Sequence, residues 1–216
     1  YKFPSLIFSI VGIWGVCRAA SLLVNESAGK IAAMMFATSA SFLLGLNDVR
    51  MDAILTSAVA ITVWQIAGFV KTRGWRYVIG VSLGMAIGFS TKGYIGVFVP
   101  GLFFLLYCLF SKNRSLLFNY RWIVGVLLFV LFISPVLIAY YIQYNLHPEI
   151  VVRGENQING LRFILWDQTL GRYGGEMGGD AKSDRLFFIH TFLWVFAPWS
   201  LVGLSSLLRR KPIKSL

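Results

Sequence analysis

The sequence predicts an all-α, polytopic transmembrane helical bundle with one long extracytoplasmic loop that carries an interfacial helix. The 216-residue chain is 57% hydrophobic and only 13% charged, with a mean hydropathy of +0.70. Soluble domains contain about 25% charged residues. The apolar residues form runs close to the length of about 20 residues that a membrane-spanning helix needs. The basic residues lie in short clusters between these runs, as in the cytoplasmic loops of membrane proteins.

About seven apolar segments are predicted to enter or cross the membrane. They cover residues 5–24, 30–46, 52–70, 77–91, 94–111, 122–143 and 186–208. The whole chain, residues 1–216, is predicted to be a single membrane domain. Residues 144–185 form its one sizeable polar stretch, and they are predicted to be an extracytoplasmic loop within that domain.

Lysine and arginine residues predict the orientation of these segments. The loops 71–76 and 112–121 and the tail RRKPIKSL are rich in basic residues, and alternating crossings place all three on one side. Short cytoplasmic loops are enriched in Lys and Arg, so this side is predicted to be cytoplasmic and the membrane to be the inner one. This clustering, without a continuous basic face, argues against a nucleic-acid partner as the reason for the net charge of +11.

Three charged residues lie between the second and third segments, at the predicted outer surface. In the stretch NDVRMDAILT they are Asp48, Arg50 and Asp52. In a helical turn Asp48 and Asp52 would share one face, and Arg50 could pair with either. Charges that face a cavity near the end of a membrane helix are often functional. A solvated turn between helices explains the same pattern without any function.

Lys92 is a basic residue on the predicted outer side, against the trend of the other loops. It lies in the turn Thr91-Lys92-Gly93 between two apolar runs. Two readings are open. The side chain reaches the lipid head groups along its own alkyl chain, or it binds an anion such as a lipid phosphate.

The outer loop contains an amphipathic stretch at residues 158–170, which includes Trp166 and Asp167. This pattern predicts an interfacial helix on the outer leaflet. The glycine-rich sequence GRYGGEMGG follows it and is typical of a mobile lid. Arg172 and the other cations of the loop are suited to an anionic head group, or they balance the acids of the same loop.

Four stretches, in order along the chain, share a pattern with one known family. They are KFPSLIFSIVGIW, NDVRMDAILT, FSTKGYIGVFVPGLFFLLY, and FILWDQTLGRYGGE followed by FFIHTFLWVFAPWSL. Together they resemble the GT-C superfamily of membrane glycosyltransferases. The match is to the bacterial branch of the dolichyl-phosphate-mannose–protein mannosyltransferase family, which includes lipid A aminoarabinose transferases. Lys2 stands where this family usually has Arg, and Tyr94 where it often has Pro.

The resemblance implies a glycosyltransferase of the cytoplasmic membrane with an extracytoplasmic active face. Such enzymes move a sugar from a polyprenyl-phosphate donor to lipid A, a protein or another glycan. A carboxylate near the acceptor assists the attack, and cations hold the phosphate that leaves. By matching motifs, the expected catalytic residues are Asp52 and, in support, Asp48. The expected substrate-binding residues are Arg50, Lys92, Trp166, Asp167 and Arg172.

The resemblance also implies missing parts. The first outer loop of the family, with its Asp–Glu pair, would lie before Tyr1, so the chain is expected to be a fragment that is inactive alone. No cofactor is expected with certainty. Whether a divalent metal ion joins Asp52 stays open, because one acid supplies too few ligands to predict a site.

A membrane transporter or lipid flippase without transferase chemistry is the alternative reading. It would use the outer acids and Lys92 to line a pathway. It predicts charges at mid-membrane depth and often an internal repeat. The sequence shows neither, since its charges gather at the predicted outer ends of the segments.

Overall fold

The computed structural model describes residues 3–47, 51–111, 113–147, 149, 159–167 and 187–208. The long helices are α1 (Phe3–Leu23), α2 (Glu26–Ala37), α3 (Ala40–Asn47), α4 (Asp52–Thr72), α5 (Trp75–Lys92), α6 (Ile95–Phe110), α7 (Arg121–Tyr140), α9 (Phe187–Val195) and α10 (Trp199–Leu208). Helix α8 (Gly160–Arg162) is short and continues as the π-turn Phe163–Asp167, and a second π-turn, Tyr141–Asn145, extends α7. The fold is all-α over the described ranges, as the sequence predicts.

Three stretches of helix are long and apolar enough to cross a membrane, within the part of the chain that the structure describes. They are Phe3–Leu23, Asp52–Thr72 and Arg121–Asn145, and the shorter Ile95–Phe110 is also apolar. An apolar helix of about 20 residues spans the hydrocarbon core of a bilayer. The chain is therefore an integral membrane protein, and the number of seven crossings stays a prediction.

Small residues bring α1 and α4 into close contact. A Cβ atom added at Gly12 would collide with the side chain of Ser57, and one added at Gly15 would lie 3.2 Å from the backbone nitrogen of Ile61. Without a hydrophobic driving force in lipid, membrane helices associate through such close packing. Gly12 meets Ser57 and the later Gly15 meets the later Ile61, so α1 and α4 run parallel. Asp52, the first residue of α4, therefore lies at the same end of the bundle as the start of α1.

Helices α4 and α5 form an antiparallel hairpin. Gly68 lies against Tyr77, and Thr62 lies against Gly84. At the closed end, Arg121 donates a hydrogen bond to the carbonyl of Arg73 and lies 5.2 Å from the ring of Trp75. The basic loops 71–76 and 112–121 therefore meet at one end of the bundle. The open end of the hairpin, with the first residue of α4 and the last of α5, lies at the other.

The short helix from the long loop packs into the bundle. Phe163 and Ile164 are buried, and Ile164 belongs to a cluster with Phe89 and Ile133. The Gly160 N–H donates to Asn145 Oδ1 at 2.9 Å, which holds α8 against the end of α7. Within the amphipathic stretch 158–170 the structure shows helix from residue 160 to 167, and its side chains Phe163 and Ile164 face protein; its place at the membrane interface stays a prediction.

Two of the predicted segments are each broken into two helices. The segment 30–46 ends a helix at Ala37, because Thr38 Oγ1 and Ser39 Oγ donate back to the carbonyls of Met34 and Phe36. Such back-bonding competes with regular helix and bends or ends it. The segment 186–208 is interrupted before Pro198, a residue that cannot donate to a helical hydrogen bond. Each of these two predicted membrane segments therefore consists of two helices.

Candidate active site

Asp52 and Lys92 form an ion pair at the open end of the α4–α5 hairpin. Lys92 Nζ contacts Asp52 Oδ1, and the two side chains are 46% (Asp52) and 44% (Lys92) exposed. Each keeps enough exposed surface to bind another molecule. The structure thus brings together two of the site residues that the sequence predicts, one from each helix of the hairpin.

Gly93 sets the position of Lys92. Its φ of 65° and ψ of −142° stop α5 immediately after Lys92, and its N–H closes the last turn on the Phe89 carbonyl at 2.7 Å. A residue with a Cβ adopts these angles only with strain. The backbones of Gly88 and Gly96 then touch, so a Cβ on Gly88 would lie 3.0 Å from the Gly96 Cα. This contact ties α6 closely to the Lys92 end of α5.

Asp52 begins α4 and lies in its first turn. A carboxylate is favoured there by the exposed N–H groups and the dipole of the helix. Thr56, one turn further on, donates its hydroxyl to the Asp52 carbonyl at 2.7 Å. The Thr56 oxygen keeps lone pairs for an incoming donor, so the two residues present hydrogen-bond acceptors on one side of the helix.

The two helix breaks meet each other beside this helix. The Ala40 N–H donates to the Ala197 carbonyl at 3.1 Å, and Trp199 Nε1 donates to Thr38 Oγ1 at 2.8 Å. These bonds satisfy backbone and side-chain groups that a broken helix would otherwise leave unpaired in a membrane. The two breaks are therefore in direct contact, and α9 packs against α3.

A cavity of about 250 Å³ lies between these breaks and the first turns of α4. Its lining includes the polar residues Asp52, Ser39, Ser41 and Thr56. The rest of the lining is Phe36, Phe42, Gly45, Ala53, Val195 and Phe196. Binding sites for small molecules have this character, a mostly apolar wall with a few placed polar groups.

A second cavity, of about 360 Å³, is a cleft bounded by α4, α5, α6 and α7. Its lining is Ile66, Val81, Ser82, Met85, Val97, Gly101, Phe104, Trp122, Gly125, Val126 and Phe129. Apart from the Trp122 ring, this lining has one polar side chain, that of Ser82. Its hydroxyl already donates a hydrogen bond to the Gly125 carbonyl at 2.7 Å. The cleft is therefore apolar. We refer to it as the α6–α7 cleft.

The other predicted site residues are not brought to the ion pair by any contact among the described residues. Trp166 is 55% exposed, and Asp167 Oδ1 lies 3.8 Å from Arg162 Nε. Asp48, Arg50 and Arg172 lie outside the described residues. The sequence suggested that Arg50 could pair with Asp48 or Asp52 and that Lys92 reaches lipid head groups or binds an anion. Among the described residues, the structure pairs Lys92 with Asp52.

Sequence reasoning missed the polar wall of the smaller cavity. Ser39, Ser41, Thr56 and Gly45 lie in apolar runs, where a serine or glycine reads as helix packing. The signal that could have found them is the pair Thr38-Ser39 inside an apolar segment, because two consecutive hydroxyl residues can end a helix.

The described ranges hold no group of three or more His, Cys, Asp and Glu side chains that could bind a metal ion. The described part of the site consists of a carboxylate, an ammonium group and hydroxyls.

The fold and the site define an integral membrane helical bundle with an acid–lysine pair at one end of a hairpin. The acid lines a mostly apolar cavity with a few polar residues, and a second, apolar cleft lies among α4, α5, α6 and α7. The model of the dolichyl-phosphate-mannose-protein mannosyltransferase family matches residues 1–139, a range that contains both Asp52 and Lys92. The chain belongs to this family, which confirms the resemblance seen in its motifs.

Comparison with individual proteins gives a more distant likeness. The chain is 28% identical over 131 residues to undecaprenyl phosphate-alpha-4-amino-4-deoxy-L-arabinose arabinosyl transferase 2 of Pseudomonas fluorescens (strain Pf0-1). The match covers 60% of this chain and 20% of that relative, so the chain spans only a small part of the relative's length. No solved structure matches the chain.

Proposed function

We propose that this chain supplies part of the active site of a glycosyltransferase that uses a polyprenyl-phosphate-linked sugar at the outer face of the inner membrane. The contact between Asp52 and Lys92 carries the proposal. It brings together a carboxylate and a cation, which are the two groups that glycosyl transfer from a lipid phosphate needs. Membership of the mannosyltransferase family and the name of the arabinosyl transferase relative support the same chemistry.

Lys92 is the donor-binding residue in this proposal. Its ammonium group holds the phosphate of the donor and stabilises the negative charge that this phosphate gains when it leaves the sugar. A charged hydrogen bond to phosphate is among the stronger polar interactions in proteins. The α6–α7 cleft, on the other side of α5, offers apolar surface for part of the polyprenyl chain.

Asp52 acts on the acceptor. Its carboxylate accepts a hydrogen bond from the hydroxyl that attacks the sugar, which orients that hydroxyl and makes its oxygen more nucleophilic. The ion pair with Lys92 holds the Asp52 side chain at the smaller cavity, whose lining includes Asp52. When the donor phosphate binds Lys92, it competes with this ion pair and leaves the carboxylate oxygens available to the acceptor. Asp48 and Arg50 are proposed to support these two roles.

The acceptor is proposed to be lipid A or a protein. The name of the relative specifies undecaprenyl phosphate and 4-amino-4-deoxy-L-arabinose, so an amino sugar on a lipid phosphate is the first donor to test. Trp166, Asp167 and Arg172 are proposed to border the substrate from the outer loop.

The depth of the charged groups favours the enzyme over a transporter. The buried polar side chains of the described residues are serines and threonines, whereas a transport pathway would place ionisable groups inside the bundle. Asp52 and Lys92 lie instead at helix ends.

The test uses the intact protein in native membrane vesicles, with the radiolabelled pool of polyprenyl-phosphate-linked sugars extracted from its host. We expect wild-type vesicles to move label into lipid A or protein and Asp52→Asn vesicles to lose about a hundredfold in rate or more. Glu26→Gln is the matched control, because Glu26 is also a first-turn acid of a helix but lies away from the ion pair. Equal rates for Asp52→Asn and the wild type at equal expression would refute the proposal, as would a wild type without transfer.

A further inference from the structure

We propose that the 250 Å³ cavity between the two helix breaks is a binding site for a single sugar ring, with hydroxyl or amino groups that donate hydrogen bonds to its wall. This inference rests on the proposed function and specifies its substrate contacts. It also assigns a role to α3 and α9, two helices that take no part in the ion pair.

The polar groups of the wall determine the class of ligand. The Asp52 carboxylate only accepts hydrogen bonds. The hydroxyl protons of Thr56 and Ser39 are already donated to the carbonyls of Asp52 and Phe36, at 2.7 and 2.9 Å. Their oxygens can therefore still accept. The Asp52 carboxylate and these two oxygens are acceptors, and Ser41 is the remaining hydroxyl residue of the lining. This set suits a ligand rich in O–H or N–H donors and disfavours a phosphate group, which is itself an anion.

The apolar part of the wall agrees with a sugar ring. Phe36, Phe42 and Phe196 contribute aromatic side chains to the lining. The C–H faces of a sugar ring are apolar and pack against such surfaces, while its hydroxyls point outward from the ring edge. A few polar groups on a mostly apolar wall then fix the orientation of the ligand.

The location of the cavity connects it to the reaction. Asp52 and Thr56 belong to its wall, and Lys92 contacts the same carboxylate from outside the cavity. A ring in the cavity would have its polar edge at Asp52, and the phosphate of a donor would lie next to it at Lys92. The ring is then either the sugar of the donor or the sugar that carries the attacking hydroxyl of the acceptor.

Gly45 offers a direct way to fill the cavity. It lines the wall, and a Cβ atom added to it would meet no other atom within 4 Å. Gly45→Leu therefore adds bulk at the cavity wall with its Cβ in open space, and leucine is a better helix former than glycine. Gly203 in α10 is the matched control, because its Cβ position is equally open and it lines neither cavity.

The experiment measures binding and transfer in Gly45→Leu and Gly203→Leu. The binding probes are the extracted polyprenyl-phosphate sugar pool and sugar-free undecaprenyl phosphate, and the transfer reaction is run at increasing lipid A. If the cavity holds the donor sugar, Gly45→Leu weakens binding of the sugar-bearing lipid by about tenfold or more and leaves undecaprenyl phosphate unchanged. If it holds the acceptor sugar, donor binding is unchanged and the KM for lipid A rises by about tenfold or more.

The inference is overturned if Gly45→Leu equals Gly203→Leu in donor binding and in the KM for the acceptor. Thr56→Val and Gly45→Ala cover the case in which Gly45→Leu does not fold. Thr56→Val keeps the shape of the side chain and removes its oxygen, so it should change one of the two quantities by about fivefold. The proposed function fails separately, if Asp52→Asn transfers sugar at the wild-type rate.

Discussion

Lys92, the last residue of α5, contacts the carboxylate of Asp52, the first residue of α4. One role for this pair is purely structural, to join the start of α4 to the end of α5. An exposed ion pair contributes only about 0.2–1 kcal/mol to stability, and both partners are nearly half exposed. Because this stabilisation is small, the pair can open to bind a substrate. A variant in which the two charges are exchanged distinguishes a stabilising role from a binding role.

The double variant Asp52→Lys with Lys92→Asp keeps opposite charges at the same two positions. We expect its Tm in detergent to stay close to that of the wild type, because the pair can re-form. We expect sugar transfer to be lost, because the carboxylate and the cation have exchanged places relative to the cavity and the cleft. Transfer restored by the double variant, after loss in each single variant, would make the pair purely structural.

Gly93→Ala should destabilise the protein by about 1–3 kcal/mol. The backbone at Gly93 has a φ of 65° and ψ of −142°, which alanine adopts only with strain. Gly101→Ala is the control, since Gly101 lies within α6 and a Cβ there meets nothing within 4 Å. Thermal unfolding in detergent should show a lower Tm for Gly93→Ala and an equal or higher Tm for Gly101→Ala. Equal Tm values for the two variants would contradict the role of Gly93.

The α6–α7 cleft should bind the polyprenyl chain of the donor. Gly101→Leu places a side chain in this cleft without meeting a neighbouring atom at the Cβ. We expect the affinity for undecaprenyl phosphate to fall about tenfold, and Gly203→Leu to bind like the wild type. Unchanged affinity in Gly101→Leu would move the lipid chain to another surface of the bundle.

The orientation can be tested with single cysteines at the two ends of the bundle. Met51, next to Asp52, is 59% exposed, and Ser111 lies at the end of α6, on the side of the basic loops. A membrane-impermeant maleimide added to spheroplasts should label Met51→Cys and not Ser111→Cys, with the parent protein giving the background of Cys17 and Cys108. The reverse pattern would place Asp52 and Lys92 in the cytoplasm.

Hydropathy and charge were sufficient to predict the class of fold and the approximate bounds of several helices. The segment 52–70 corresponds to α4, and 122–143 to α7 with its π-turn. Hydropathy averages over a window, so it could not show the breaks after Ala37 and before Trp199. Those breaks depend on individual hydrogen bonds, such as the one from Thr38 Oγ1 to the Met34 carbonyl.

The sequence predicted only part of the candidate site. Motif resemblance selected Asp52 and Lys92 separately, but their contact depends on the antiparallel packing of α4 and α5, which spacing along the chain does not report. The cavity wall was missed for a related reason. Ser39 lies in the break between α2 and α3 and Thr56 lies on α4, so the two residues line one cavity only because of how these segments pack.

The most direct test of the central claim compares Lys92→Ala with Lys71→Ala in the transfer assay. Both lysines lie in the last turn of a helix of the same hairpin, at its opposite ends. The measured quantity is the initial rate of label transfer at equal expression and equal Tm. Loss of transfer in Lys92→Ala with a wild-type rate in Lys71→Ala is the predicted result. A wild-type rate in Lys92→Ala would contradict the assignment of the donor phosphate to this end of the hairpin.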